Sequence, residues 1–116
     1  MSPNKSSVET YFACFNRQDW AGMLPLLTDD IERWEPGTPH PTRGKKEFEE
    51  NMRPGPDVVG LRSQVARMTE EGNVVVAEGK VGVSLKAAKT IHVDFCTIFE
   101  FEGPKVKRIT AFSAVA

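Results

Sequence analysis

Apolar residues change their period once along this chain, near Leu61. Before that point they recur at helical spacing or in short clusters; after it they alternate with polar residues. Ser6 to Glu9 reads as a capping box ahead of Val8, Tyr11, Phe12 and Phe15, which predicts a helix over Ser7–Arg17 with residues 1–5 frayed. Asp19 is a candidate N-cap for a second helix starting at Trp20, with Met23, Leu24, Leu26 and Leu27 on its apolar side. Pro25 lacks a backbone donor, so that helix should kink or end early. Thr28, Asp29 and Asp30 form a polar break, and Ile31–Glu35 follows as a short strand. A loop stiffened by Pro36, Pro39 and Pro41 leads to Lys45–Met52, a third helix exposed apart from Phe48 and Met52. The Pro and Gly content of Arg53–Gly60 predicts a loop.

Four long strands are expected from Leu61 onward: about Leu61–Thr69, Val74–Leu85, Thr90–Glu102 and Val106–Ala114. Their connections, Glu71-Gly72-Asn73, Lys86–Lys89 and Gly103-Pro104, are short, so the strands should form an antiparallel meander. Helices followed by such a sheet make an α+β layout. Alternation then sorts the faces. Val75, Ala77, Gly79, Val81 and Val83 share one face, small at its centre; Val93, Phe95, Thr97, Phe99 and Phe101 share another, as do Ile109, Ala111 and Ser113. Small residues rimmed by aromatics suit a concave apolar pocket beneath the helices, unless the helices fill that space themselves.

Length and composition narrow the class. A chain of 116 residues predicts one domain, spanning 1–116, able to bury a core without staples. A formal net charge of -1 gives no basic footprint for nucleic acid. No apolar run is long enough to span a membrane, and MSPNKSSVET lacks the apolar core of a signal peptide, so a cytoplasmic location is expected. Cys14 and Cys96 have no metal-type spacing, and there each serves as a small buried apolar group.

The candidate chemistry lies where the Ile31–Glu35 strand gives way to its loop. A carboxylate at Glu35 beside the Trp34 ring would be poorly solvated, and desolvation raises a carboxylate's pKa and makes it a better base near neutral pH. The plainer alternative has Trp34 in the core and Glu35 as a solvated strand-end charge.

Three stretches in order, TYFACFNRQDWAGMLPLLTDDI, WEPGTPHPTRG and KTIHVDFCTIFEFEGPKVKRI, resemble the nuclear transport factor 2-like superfamily, and within it the SnoaL-like and ketosteroid isomerase-related branch. The resemblance covers about Val8 to Ala114 and implies a cone-shaped curved antiparallel sheet closed by three N-terminal helices. Ketosteroid isomerases use a carboxylate base with an oxyanion hole of a tyrosine and a protonated aspartate. By position the base falls on Glu35, the tyrosine on Tyr11, and the aspartate position on Thr97, a weaker donor than a neutral carboxylic acid. His92 on the outer face and His40 in the loop offer no substitute.

The catalytic set expected is therefore Glu35, Tyr11 and Thr97, abstracting a proton next to a carbonyl on an apolar substrate. Trp20, Trp34, Ala77, Gly79, Phe95, Phe99, Ile109 and Ala111 form the expected ligand-binding set, with no cofactor and no metal. A second reading is a binding module that holds a small apolar molecule without chemistry, and a third is a structural dimer whose cone is filled. Ile98, Cys96 and Phe112 fall on the sheet face turned away from the helices, with His92, Asp94 and Arg108 as a polar rim, which predicts a homodimer through that outer face.

Overall fold

The computed structural model describes residues 1–87 and 89–115. Helix α1 spans Pro3–Arg17, a turn longer than the capping box implies. Ser2, not Ser6, is its N-cap: the Ser2 hydroxyl accepts from the Lys5 backbone N–H at 3.0 Å, and Pro3 occupies the first turn, where its missing N–H is harmless. Gln18 ends the helix in the left-handed region, at φ 54°. Asp19 then caps α2, Trp20–Met23, accepting from the Gly22 N–H at 2.9 Å. Pro25 stops α2 after one turn and tightens Leu24–Leu26 into a 3-10 helix.

Strand β1 covers Leu27–Trp34, so the polar run Thr28–Asp30 continues the strand rather than breaking it. Its exposed residues Asp29 and Asp30 lie between the buried Leu27 and Ile31. A two-residue strand, β2 at Thr42–Arg43, returns antiparallel along β1, and Gly44 donates its N–H to the Ile31 carbonyl at 2.8 Å. Helix α3, Lys45–Met52, buries Phe48 as its spacing predicts. The four long strands are β3 (Val58–Glu71), β4 (Val74–Leu85), β5 (Ile91–Glu102) and β6 (Lys105–Val115). Of the Lys86–Lys89 connection, Ala88 lies outside the described residues.

The six strands form one sheet in the order β2-β1-β6-β5-β4-β3. The meander β3 to β6 is antiparallel, and β1 joins parallel to β6. This α+β arrangement packs α1 over β3 and β4 and α3 against β1. Val8, Tyr11 and Cys14 of α1 meet Val75, Ala77, Phe99 and Ile109 of the sheet in the core. Asn16 fastens the helix in place: its side-chain oxygen accepts from both the N–H and the hydroxyl of Ser63 at 2.7 Å, and its amide donates to the Ser63 carbonyl at 3.0 Å. Among the described residues, no helix is long and apolar enough to cross a membrane.

Candidate functional site

Between α1, α3 and the concave face of the sheet lies a cavity of about 280 Å³. Six elements supply its polar groups: α1 gives Tyr11, β1 gives Arg33 and, just past its end, Glu35, α3 gives Asn51, β3 gives Ser63, β5 gives Thr97 and β6 gives Ser113. Phe12, Phe15, Val81, Val93 and Phe95 supply apolar wall.

Tyr11 reaches this place because α1 turns its Val8–Tyr11–Cys14 stripe to the sheet. Its ring stands edge-on to Phe12, with centroids 5.3 Å apart, and to Phe99, at 5.0 Å. Phe12 in turn stacks on Phe95 at 5.3 Å, so Phe12 and Phe99, the first backed by Phe95, hold the tyrosine at one angle. Burial pushes the Tyr11 hydroxyl above its ordinary pKa of about 10, because an apolar surround disfavours the phenolate; the Arg33 guanidinium acts against this through its charge and hydrogen bonding. Tyr11 is accordingly a protonated donor at neutral pH.

This shift has a sign that can be measured. Below about pH 10 the hydroxyl is protonated in the folded and the unfolded chain alike, and its contribution to stability is fully present. As pH rises further the unfolded chain ionises first, and that contribution is lost through the folded pKa. Tyr11 is the sole tyrosine, so phenolate absorbance reports it alone. The midpoint of an ultraviolet titration is expected to lie higher in the native protein than in urea; coincident midpoints would mean that the ring is solvated.

Arg33 and Glu35 enter the cavity through strand alternation. Ile31 is fully buried, Arg33 pairs with the buried Ile109 of β6, and Glu35 follows two residues on. The Arg33 side chain is 17% exposed and that of Glu35 47%, so the carboxylate sits at the mouth and the guanidinium deeper. They meet at 3.0 Å, Arg33 Nη2 donating to Glu35 Oε1, while Arg33 Nε is buried with no hydrogen-bond partner. Glu35 also begins a tight turn. Pro36 and Gly37, with φ 101°, occupy its centre, and the Thr38 N–H and hydroxyl both donate to the Glu35 carbonyl, at 3.0 and 2.6 Å. Pro followed by a positive-φ glycine is the pattern of a type II turn, and it holds the backbone of Glu35 at the cavity edge.

The structure thus brings Tyr11, Glu35 and Thr97 to one cavity, and places Phe95 and Ala111 in its wall. The other expected ligand-binding residues are elsewhere. Trp34 pairs with Thr110 on the opposite sheet face, because neighbours on a strand point to opposite sides. The desolvation of Glu35 by the Trp34 ring therefore falls away. Trp20 is buried under the Arg53 guanidinium, 5.5 Å from its ring centroid. Ala77, Phe99 and Ile109 are fully buried core. Gly79 lies where the Gln64 carbonyl of β3 passes directly over it, leaving no free space there. Arg33 is the site residue that the sequence reading overlooked, although the alternation Ile31, Arg33, Glu35 carried the signal. No group of three or more His, Cys, Asp or Glu that could hold a metal ion occurs among the described residues.

Residues 8–109 match the SnoaL-like domain model, and the chain belongs to this SnoaL-like family. Its solved structural neighbours carry the nuclear transport factor 2-like fold. One from Burkholderia pseudomallei, of unknown function, has a TM-score of 0.84 at 21% identity, with 96% of this chain and 90% of that chain covered. An epoxide hydrolase of M. tuberculosis resembling the LEH enzymes has a TM-score of 0.82 at 17% identity, covering 97% and 83%. TerC, crystallised with polyporic acid, has a TM-score of 0.83 at 24% identity, covering 95% and 90%. These identities show a shared fold. No curated protein matches the chain.

Proposed function

We propose that this protein is a small-molecule enzyme that moves a proton next to a carbonyl on an apolar substrate. The observation that carries this reading is the convergence of Glu35, Tyr11 and Thr97 on one largely apolar cavity. Glu35 takes the proton from the carbon beside the carbonyl. The electron pair of the broken C–H bond moves into the adjoining C–C bond, and the carbonyl π pair moves onto oxygen. Tyr11 donates a hydrogen bond to that oxygen as its charge grows, assisted by the Thr97 hydroxyl, in a pocket where such donors act more strongly than in water. Return of the proton to another carbon of a conjugated enolate completes an isomerisation; attack of the enolate carbon on a second carbonyl of the same substrate, whose π pair moves onto its oxygen and takes the proton, completes a cyclisation. The step draws on side chains alone and needs no cofactor. Structural neighbours include an epoxide hydrolase and a candidate ketosteroid isomerase from Kribbella flavida, so acid–base work on small molecules occurs among proteins of this shape. A second reading, a binding module for a small hydrophobic ligand, uses the same apolar walls without the base. The working form is proposed to be a cytoplasmic homodimer paired through the outer sheet face.

The two readings separate on Glu35. Hydrogen–deuterium exchange at the carbon beside the carbonyl of phenylacetone and related aryl ketones, followed by NMR in heavy water, should be accelerated by the wild type. Glu35→Gln should lower that rate on the order of 10²–10⁴-fold while leaving ketone binding in place. Equal exchange by wild type and variant, or no acceleration above buffer across the panel, removes Glu35 as base and leaves the binding module.

A further inference from the structure

The cavity has a polarity that an apolar ketone does not use. Among its described lining residues Arg33 is the one cation and Glu35 the one anion, and they are not equivalent. Glu35 stands half in solvent at the mouth, whereas Arg33 is more than four-fifths buried. A guanidinium carries five N–H donors. Glu35 accepts from Nη2, and Nε is sealed from solvent with no partner at all. A buried cation is costly, since water has been stripped from it, and here the half-solvated Glu35 carboxylate and the Tyr11 hydroxyl are the side chains set against it. Most of that dehydration is already made in the folded protein. An incoming oxyanion would therefore gain the attraction with little left to strip from the cation. Beside Arg33 stands Tyr11, which burial keeps protonated and so able to donate to the same oxygen. Phe12, Phe15 and Phe95 lie on the walls for an apolar body.

We infer that the pocket selects small aromatic or aliphatic acids, with the acidic oxygen of the ligand held by Arg33 and Tyr11 and its apolar body against the phenylalanines. The volume of about 280 Å³ sits at the small end of ligand pockets, roughly 300–1,000 Å³, and so favours a ligand of one or two rings. This assignment deepens the proposed function by naming the substrate class, yet it concerns binding and stands or falls apart from Glu35. In catalysis the same arrangement makes Arg33, beside Tyr11, a holder of negative charge.

Cinnamate and its neutral amide, cinnamamide, share a shape and differ in charge. Calorimetric titration of the wild type should show cinnamate bound roughly tenfold or more tightly than the amide, the scale of a charge-assisted hydrogen bond. Arg33→Met should abolish that preference, Arg33→Lys should retain part of it, and Glu35→Gln should enlarge it, because the carboxylate that competes with the ligand for Arg33 Nη2 is removed. The lysine variant preserves the charge and guards against a methionine variant that fails to fold. If the wild type prefers the amide, binds neither probe at millimolar concentration, or keeps its preference as Arg33→Met, the assignment is overturned. Selective, Arg33-dependent binding without proton exchange would instead uphold it while removing the catalytic reading.

Discussion

Gly79→Ala should destabilise the protein by about 3 kcal/mol, the upper end of what overpacking usually costs, and Gly79→Phe should prevent folding. A Cβ on Gly79 would collide with the Gln64 carbonyl oxygen and stand 2.9 Å from Phe95 Cζ. The first obstacle is backbone, which cannot swing aside as the end of a side chain can. It is there because the β3–β4 register shifts between Val65 and Arg67, beside the pairing of Val65 with Gly79, and the bulge drives one strand over the other. Sequence alternation instead predicts spare room at this glycine and a folded Gly79→Phe that merely blocks ligand entry. Gly82 in the same strand supplies the control, since a Cβ there meets Thr90 and His92 at 3.6 and 3.9 Å, ordinary contact distances. Urea unfolding of Gly79→Ala and Gly82→Ala should show a large loss in the first and little change in the second. Equal midpoints would mean that the Gln64 carbonyl has room to retreat.

How much of the molecule could be read in advance follows from the range of each interaction. Helix caps and strand alternation are local, and they were legible: Asp19 caps α2, Lys45–Met52 is helical, and Thr97, Phe99 and Phe101 share the buried face of β5. Ser2 and Pro3 were legible too, but the Ser6–Glu9 signal competed with them. What depends on partners distant in sequence was hidden. The parallel seat of β1 on β6, the two-residue β2 and the bulge over Gly79 are set by strands that meet only after folding. At the site, Glu35, Tyr11 and Thr97 share a cavity, as family position implies, whereas the pairing of Trp34 with Glu35 treats chain neighbours as spatial ones. The period of two in Ile31, Arg33 and Glu35 points inward at Arg33 and outward at Trp34, and Asp29 and Asp30 obscured it by making the strand look as though it began at Ile31.

That outward tryptophan changes the outer face of the sheet. Val76, Ile98, Thr110 and Trp34 are successive partners across β4, β5, β6 and β1, forming one row of that face. Cys96 and Phe112 lie in the adjacent row, Phe112 also bordering the cavity, and Trp34 and Phe112 are 37% and 44% exposed. Ion pairs border these rows: Arg67 with Glu78 at 2.5 Å, Lys80 with Asp94 at 3.0 Å and Arg108 with Glu100 at 3.7 Å. Each is neutral within its own chain, so a second copy could approach without like charges opposing each other, and a twofold axis would set apolar row against apolar row. Asp94 and Arg108, two of the three residues expected as a rim, are held in these internal pairs. Light scattering of the wild type at micromolar concentration is expected to give twice the chain mass. Phe112→Glu and Trp34→Glu should each give the single mass, because an unpaired carboxylate buried at such an interface costs far more than the aromatic contact it replaces. Both residues lie away from the core, so the variants should unfold at nearly the wild-type urea concentration when measured as monomers. A monomeric wild type, or variants that remain dimeric, would take the partner off this face.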